Sequence, residues 1–274
     1  MAAAPAACAV HERRRKLLDT GCATIDVVID TAAPGPRPAI VLLPSSLRDS
    51  LDFDPLARGL ACAGFQVLRP QPRGMARSHG PMGGLDLAAL AQDVVHTIDT
   101  FGDGRAVIMG HAFGHFVARV ADLLYPDKVR GVVLAAAAAR TFPAGMAEAL
   151  VIASDPAQPD ALRLRQLQHA FFAPGNDPSP WLSGWYPALR EIYRAAGSTP
   201  PKAAWWPVTH APLLDLQGAQ DPWRPPESRE ELRQALGRDR VEVRLVPDAS
   251  HALPVEQPER AAAAIAEWAH ALAP

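Results

Sequence analysis

The 274-residue sequence predicts an α/β fold built on a mostly parallel, doubly wound sheet. Two observations predict this fold class. Short apolar runs of the kind that form buried strands alternate with amphipathic segments of helical period, and glycine or proline marks most of the junctions. The alternation stops for about 70 residues in the middle of the chain and then resumes, which indicates an inserted segment.

The chain opens with a predicted antiparallel hairpin. After a start that we expect to be frayed, residues 1 to about 15, the segments 15–18 and 24–29 have strand-like composition and are separated by Thr20-Gly21. A proline-rich break follows, and residues 39–43 then form an uninterrupted apolar run, which is typical of a strand covered on both faces. The buried parallel sheet is therefore expected to begin there.

Strands and helices alternate from this point to residue 139. The first helix is predicted to have Asp52 or Asp54 as its N-cap and Pro55 in its first turn. In chain order the predicted elements are a helix at 53–63, a strand at 65–68, a helix at 85–101, a strand at 106–109, a helix ending at about 125 and a strand at 129–137.

Residues 140–210 contain no convincing strand and carry four of the six tryptophans. We predict that they form a helical cap, which selects the substrate, inserted into a core made of residues 1–139 and 211–274. The remaining predicted elements are cap helices at 144–153, 160–172 and 187–196, core strands at 212–216 and 241–246, and core helices at 227–236 and 257–272.

Composition and charge exclude several function classes. Apolar residues make up 49% of the chain and charged residues 20%, which is ordinary for a globular protein. The formal net charge is -2 and the basic residues are scattered, so nothing indicates nucleic-acid binding. The one basic run, residues 13–16, is expected to lie on a solvated surface, and no apolar run approaches the ~18 residues of a membrane span. We therefore expect a small-molecule substrate and no membrane association.

The cysteines indicate a reducing compartment. Cys8, Cys22 and Cys62 are odd in number and widely spaced, which predicts neither a disulfide framework nor a zinc site. The N-terminal stretch of small apolar residues has its positive charges after the apolar part, the reverse of a signal peptide. We expect a cytoplasmic protein without export or a lipid anchor.

A short apolar run at 106–109 leads into Gly110-His-Ala112-Phe-Gly114 and then into a helix. Reversal from strand to helix within one residue requires small neighbours, which the two glycines supply. This segment resembles the G-x-S-x-G nucleophile elbow of the α/β-hydrolase superfamily, with alanine where the family has its nucleophilic serine. The resemblance implies that Ala112 lies at the nucleophile position, raised at the end of its strand.

Two later motifs follow in the family's chain order, so that the resemblance covers about residues 39 to 270. The stretch from Leu216 to Asp221 is similar to the family's strand followed by G-x-x-D, which implies that Asp221 orients the catalytic histidine. His251, after the last strand and before the last helix, is similar to the family's histidine. Paired with a carboxylate, such a histidine is held in one tautomer and can accept a proton near neutral pH.

The same resemblance implies an oxyanion hole. One donor is the backbone N–H of Phe113, just after the elbow centre, and the other comes from the end of the strand at 39–43, with Ser46 the first choice and Ser45 the second. The family usually has H-G-x at that point, and Pro44-Ser45 depart from this pattern.

Alanine at position 112 closes the acyl-enzyme route of the family, because loss of a serine nucleophile costs on the order of a million-fold in kcat. Three explanations stay open. Ala112 is an engineered replacement that traps substrate; or His251 activates water directly, or takes a proton from a substrate carbon; or the chain is a binding protein on a hydrolase frame. We favour a hydrolase of a small apolar ester or lactone that uses no metal and no organic cofactor.

Other residues could supply the missing chemistry. Ser45, Ser46 and Ser78 lie on loops where ligands bind in such sheets, but none occupies the strained corner that exposes a nucleophile. His111 and His115 are four residues apart, yet His111 precedes the helix and no H-E-x-x-H pattern is present, so we expect no metal site.

The aromatic residues of residues 140–210 allow two interpretations. They could line an apolar pocket over the elbow, or they could form a small core of the cap itself. If they face the pocket, the substrate is apolar or aromatic. The predicted substrate-binding residues are Trp181, Trp185, Trp205 and Trp206. The oligomeric state is undetermined by the sequence, with a homodimer one option.

Overall fold

A computed structural model describes residues 11–32, 35 and 37–272 of the protein. Its strands are β1 (Glu12–Asp19), β2 (Thr24–Thr31), β3 (Ala39–Leu43), β4 (Gln66–Pro70), β5 (Ala106–His111), β6 (Val129–Ala135), β7 (Leu213–Gly218) and β8 (Val241–Val246). Its α-helices are α1 (Asp54–Cys62), α2 (Leu87–Phe101), α3 (Gly114–Leu124), α4 (Met146–Ser154), α5 (Asp160–Ala170), α6 (Arg190–Ala196), α7 (Lys202–Trp205), α8 (Glu231–Leu236), α9 (Leu253–Glu256) and α10 (Pro258–Ala271).

The strands form one sheet of eight in the order β1-β2-β4-β3-β5-β6-β7-β8 within the described residues. The β1–β2 and β2–β4 pairs are antiparallel, and every later pair is parallel. All five residues of β3 are buried, because helices cover both faces of the sheet. The sheet confirms the predicted α/β-hydrolase fold class, with the carboxyl ends of β3, β5, β7 and β8 along one edge.

Apolar side chains pack in two layers, one on each face of the sheet. One layer joins the sheet to α2 and α3, with Val94, Ile98 and Val117 among its buried members. The other joins the sheet to α1 and α10, where Leu60 and Ile265 are fully buried. Burial of an aliphatic side chain of this size contributes ~1.5–3 kcal/mol. These layers hold the strand ends, and hence the loops that follow them, in fixed positions.

The predicted hairpin is present, but its first strand begins earlier than the sequence indicated. Residues 12–15, expected to belong to a frayed start, pair with β2 as part of β1. The basic run is exposed, as expected, and two of its side chains also bind carboxylates of β2: Arg13 bonds to Asp30 at 2.8 Å and Arg15 bonds to Asp26 at 2.6 Å. Residues 1–10, including Cys8, lie outside the described part of the chain.

The start of α1 differs from the prediction. Neither Asp52 nor Asp54 is an N-cap: Asp49 accepts the Leu51 N–H in a 3-10 turn, and α1 starts at Asp54 without a side-chain cap. The two predicted caps are engaged in ion pairs, Asp52 with Arg48 and Asp54 with Arg69 and Arg13. A sequence motif for capping cannot distinguish a carboxylate that binds a backbone N–H from one that binds a distant arginine.

Between β6 and β7 the described chain forms the helices α4 to α7 and no strand, as the pattern predicted. Part of this segment packs on itself around Trp181 and Phe171, which join α4, α5 and the residues before α6. No helix in the described ranges is both long and apolar enough to cross a membrane.

Candidate active site

The corner between β5 and α3 turns within two residues. Ala112 has φ +45°, in the left-handed region that a non-glycine residue occupies at a cost of ~1–3 kcal/mol. Its N–H donates to the carbonyl of Ala135 at 3.1 Å, and its own carbonyl accepts from the N–H of His115 at 3.1 Å. These bonds hold residue 112 above the end of the sheet.

The two glycines of the corner have no room for a side chain. A Cβ atom on Gly110 would lie 2.3 Å from the carbonyl carbon of Gly114 and from the nitrogen of His115. A Cβ atom on Gly114 would lie 2.4 Å from the carbonyl oxygen of Leu43, at the end of β3. The glycines therefore let α3 start directly against the strand ends.

Asp221 and His251 meet at this edge of the sheet. The Nδ1 of His251 donates to the Oδ2 of Asp221 at 3.0 Å, and Asp221 Oδ1 accepts the N–H of Trp223 at 2.8 Å. Both side chains are buried. Asp248, the other carboxylate of the histidine loop, is exposed and pairs with Arg260 instead. The geometry places Nε2 as the nitrogen of His251 that is left to accept a proton.

Trp223, which the sequence analysis did not select, contacts both members of this pair. Its ring stacks on the imidazole of His251, with centroids 4.9 Å apart and planes at 22°. Its indole Nε1 donates to the carbonyl of Ala170 at the end of α5. The only available signal was its position two residues after Asp221, because nothing local to the sequence predicts a stack on a residue 28 positions away.

Glu256 fixes the loop that carries His251. Its Oε2 accepts the N–H of Ser250 at 2.7 Å, while Oε1 accepts the N–H of Ala173 at 2.6 Å and Nδ2 of Asn176 at 2.7 Å. Burial raises the pKa of the Glu256 carboxyl above its ordinary value. One carboxylate thus joins the histidine loop to the segment after α5.

Two further histidines surround the corner. His111 donates from Nε2 to the carbonyl of His251 at 2.6 Å, and burial, followed by the charge of His251, lowers its pKa to about 3. His115 bonds through Nδ1 to the carbonyl of Ala112, and burial lowers its pKa well below the ordinary value. Both rings are neutral at pH 7. Across the described ranges, no group of three or more metal-ligating side chains could hold a metal ion.

A cavity of about 380 Å³ lies over the corner. The central residues of the predicted site, Ala112 and His251, both line it, together with Phe113, Ser45 and Ser46 of the predicted oxyanion hole. The N–H groups of these last three residues have no acceptor among the described residues. Its other lining residues are Leu47, His115, Phe116, Ala138, Phe142, Ala147, Leu150, Val151, Phe171, Arg190, Tyr193, Arg194, Gly197, Ser198 and Trp223.

The four tryptophans that were predicted to bind substrate do not line the cavity. Trp181 and Trp185 lie against the guanidinium of Arg48, 4.4 and 4.6 Å from their ring centroids, and Trp181 is buried. Trp205 is fully buried against Phe116. The ring of Trp206 is covered by the guanidinium of Arg140, which lies 4.8 Å from the ring centroid.

For these four tryptophans the packing interpretation replaces the pocket interpretation, whereas Phe171 of the same segment does line the cavity. Large aromatic rings gain more by filling the interior and by covering arginines than by standing in an open cavity. The aromatic residues that line the cavity are Phe113, Phe116, Phe142, Phe171, Tyr193 and Trp223.

Ser78 has a structural role. Its hydroxyl donates to the carbonyl of Gln71 and accepts the N–H of Asp26, both at 2.9 Å, so it joins the loop after β4 to β2. Arg73 in the same loop forms an ion pair with Asp93 at 2.8 Å.

Comparisons with known proteins agree with this geometry. A family model described as the alpha/beta hydrolase family matches residues 40–264. Epoxide hydrolase A of Mycobacterium tuberculosis is 34% identical over 119 residues, which make up 43% of this chain and 36% of that protein. Epoxide hydrolase B of the same organism is 29% identical over 120 residues, 43% of this chain and 34% of that protein. The match therefore spans only about a third of the length of these curated relatives.

Solved structures share the whole fold. A thermophilic esterase from Thermogutta terrifontis superposes with a TM-score of 0.72 at 24% identity, covering 94% of this chain and 98% of that one. A 2-hydroxy-6-oxo-6-phenylhexa-2,4-dienoate hydrolase from Rhodococcus sp. strain RHA1 gives 0.74 at 19% identity, covering 96% and 100%. At these identities the likeness concerns the fold alone. Because the family model covers most of its length, the chain belongs to the alpha/beta hydrolase family.

Proposed function

We propose that the protein hydrolyses a small, largely apolar carbonyl compound, an ester or a lactone, with water that His251 activates directly. The observation that carries the proposal is the His251–Asp221 hydrogen bond of 3.0 Å at a cavity that Ala112 also lines. A paired, buried histidine has the form of a general base, and the alanine methyl group leaves space beside it for a water molecule.

Each step of this reaction has an assigned group. His251 Nε2 takes a proton from water, whose oxygen bonds to the carbonyl carbon, and the carbonyl oxygen becomes an oxyanion. We assign the stabilisation of that oxyanion to the N–H groups of Phe113 and of Ser46, or Ser45 in its place, because these residues line the cavity and their N–H groups have no described acceptor. The carbon–oxygen bond to the leaving group then breaks, and protonated His251 returns its proton to the departing alkoxide. Asp221 stabilises the imidazolium throughout.

The proposal extends to the organisation of the protein. Residues 140–210 act as the cap over the cavity, since Leu150, Val151 and Tyr193 line it from that segment. The enzyme works in the cytoplasm and uses no metal and no organic cofactor. A homodimer stays a prediction, which light scattering of the purified protein tests.

Two observations support other candidate activities. The curated relatives are named epoxide hydrolases, so an epoxide is the second substrate class to test. The absence of a hydroxyl at Ala112 supports a catalytically inactive protein, which is either a serine hydrolase with an engineered alanine or a ligand-binding protein. The same base could also remove a proton from a substrate carbon.

Turnover of a panel of esters, lactones, amides and epoxides distinguishes these candidates. The wild-type chain is expected to hydrolyse esters or lactones, and His251→Ala to reduce kcat by about 10²–10⁴-fold. His169→Ala, which alters an exposed histidine, is the matched control and should change nothing. Intact-protein mass spectrometry during turnover should show no acyl adduct.

The variant Ala112→Ser tests the alternative, that the chain is a serine hydrolase without its nucleophile. An inactive wild-type chain, no effect of His251→Ala and a large gain in Ala112→Ser would overturn the proposal and identify a silent or trapped serine hydrolase. Activity confined to epoxides would contradict the proposed ester or lactone substrate but would leave His251 as the proposed base.

A further inference from the structure

We propose that the substrate carries a second, non-reacting carboxylate and that Arg190 binds it inside the cavity. This inference rests on the proposed function, because it treats the cavity as the substrate site. It narrows the substrate class from apolar carbonyl compounds to those with an anionic end, such as the half-ester of a dicarboxylic acid.

The guanidinium of Arg190 has unused donors. Arg190 is the first residue of α6 and lines the cavity. Its Nη2 donates to the carbonyl of Val151 at 3.3 Å and to the hydroxyl of Ser154 at 3.0 Å. Its Nε is buried without an acceptor, and its Nη1 donates to no described residue. Two of the three nitrogens therefore lack a partner.

Arg190 also forms no ion pair among the described residues. No carboxylate of the described residues lies within 4.0 Å of it. Asp155, which follows α4, interacts with Arg190 only beyond ion-pair distance, and its oxygens accept the N–H of Ala157 and the side-chain amide of Gln158. The described cavity lining includes no aspartate or glutamate and is mostly apolar around Leu150 and Tyr193. A partly desolvated guanidinium with no carboxylate on the cavity side is costly, so a ligand anion has an electrostatic reason to bind here.

Arg194, the other arginine of the lining, differs in both respects. It pairs with Glu191 at 2.8 Å, and both side chains are 73% exposed. Its charge is therefore screened by solvent and balanced by a neighbour. A carboxylate suits Arg190 because it is planar, carries one charge and accepts two parallel N–H bonds from a guanidinium.

A binding experiment tests the inference without relying on turnover. Isothermal titration measures the affinity of 4-phenylbutyrate and of its neutral amide for the wild-type chain. The carboxylate is expected to bind about 10-fold or more tightly than the amide. Arg190→Gln should abolish this preference and Arg190→Lys should keep part of it, while Arg165→Gln, on the exposed side of α5, should leave it unchanged.

The outcomes separate this inference from the proposed function. His251→Ala should retain the preference for the carboxylate, because Arg190 is unaltered. A retained preference with no turnover would contradict the proposed hydrolysis and leave the anion site standing. Equal binding of acid and amide, binding of neither, or a preference that survives in Arg190→Gln would overturn the assignment of Arg190.

Discussion

Ala112 keeps the backbone of a catalytic corner although its side chain has no reactive group. Its φ of +45° would be relieved by glycine, which adopts the left-handed region without strain. The conformation is retained because the Ala112 N–H is bound to Ala135, while the carbonyl of Ala112 is bound to α3. The consequence is that the N–H of Phe113 has no described acceptor at the cavity, where the proposed reaction requires an oxyanion donor.

The tolerance of the corner to a methyl group can be measured. Gly114→Ala should lower the free energy of unfolding by more than ~3 kcal/mol or prevent folding, because the new Cβ would lie 2.4 Å from backbone oxygen that cannot move away. Gly83→Ala is the matched control, since a Cβ there meets nothing within 4 Å and should change stability by less than about 1 kcal/mol. Urea unfolding measures both, and equal midpoints would contradict the close approach.

At the scale of elements, the site depends on how loops are joined to one another. The histidine loop is held from three sides: Ser250 by Glu256, the carbonyl of His251 by His111, and the Ala252 N–H by the carbonyl of Phe171. The Ala252 bond reaches Phe171, just after α5, and Glu256 also accepts hydrogen bonds from Ala173 and Asn176 in that segment. Movement of that segment would therefore be transmitted to His251.

Glu256 is expected to be a positioning residue for His251. Glu256→Gln replaces an acceptor by an NH₂ group that faces backbone or amide donors, which should cost ~1–3 kcal/mol of unfolding free energy. Hydrogen exchange at the Ser250 N–H should accelerate, because that bond is lost or weakened. Glu259→Gln, an exposed change on α10, is the control. Unchanged exchange at Ser250 would show that Glu256 does not hold the loop.

At the scale of the whole molecule, buried neutral histidines make folding sensitive to acid. In the folded state the pKa of His111 is lowered to about 3, whereas the unfolded chain takes up this proton near pH 6.5. A depressed folded pKa means that stability is fully present above pH 6.5 and is lost as pH falls towards 3. At pH 5 the loss from His111 is ~2 kcal/mol.

Urea unfolding at pH 7.5 and at pH 5 tests whether the protonation of His111 lowers the free energy of unfolding as the pH falls. The loss of unfolding free energy between the two pH values should be smaller by ~2 kcal/mol in His111→Gln than in the wild type, and unchanged in His169→Gln. Carboxylates such as Asp26 and Asp54 have pKa values that arginines lower despite burial. They titrate alike in the wild type and in both variants, so their contribution cancels when the losses of unfolding free energy are compared. In the wild type, the NMR shifts of the His111 ring should stay constant from pH 8 to pH 5. A titration within that range would contradict the prediction.

The sequence by itself determined the sheet, the corner and the order of the acid and the histidine. Apolar runs and helical periods are local properties, so β3 and α2 could be predicted within a few residues. The spacing of Gly110 and Gly114 is also a local property, and it predicted that the start of α3 packs directly against the strand ends, where no side chain fits.

Only the tertiary structure decided which side chains face the cavity. Trp181 and Trp205 were expected to line a pocket and are instead packed in the interior. Nothing local in the sequence indicated the roles of Arg190 and Glu256, and only its position two residues after Asp221 pointed to Trp223. Their roles depend on partners far away in the chain, such as His251 for Trp223. The energy of an aromatic ring or a charge is set by what surrounds it after folding, and residue spacing carries no record of that environment.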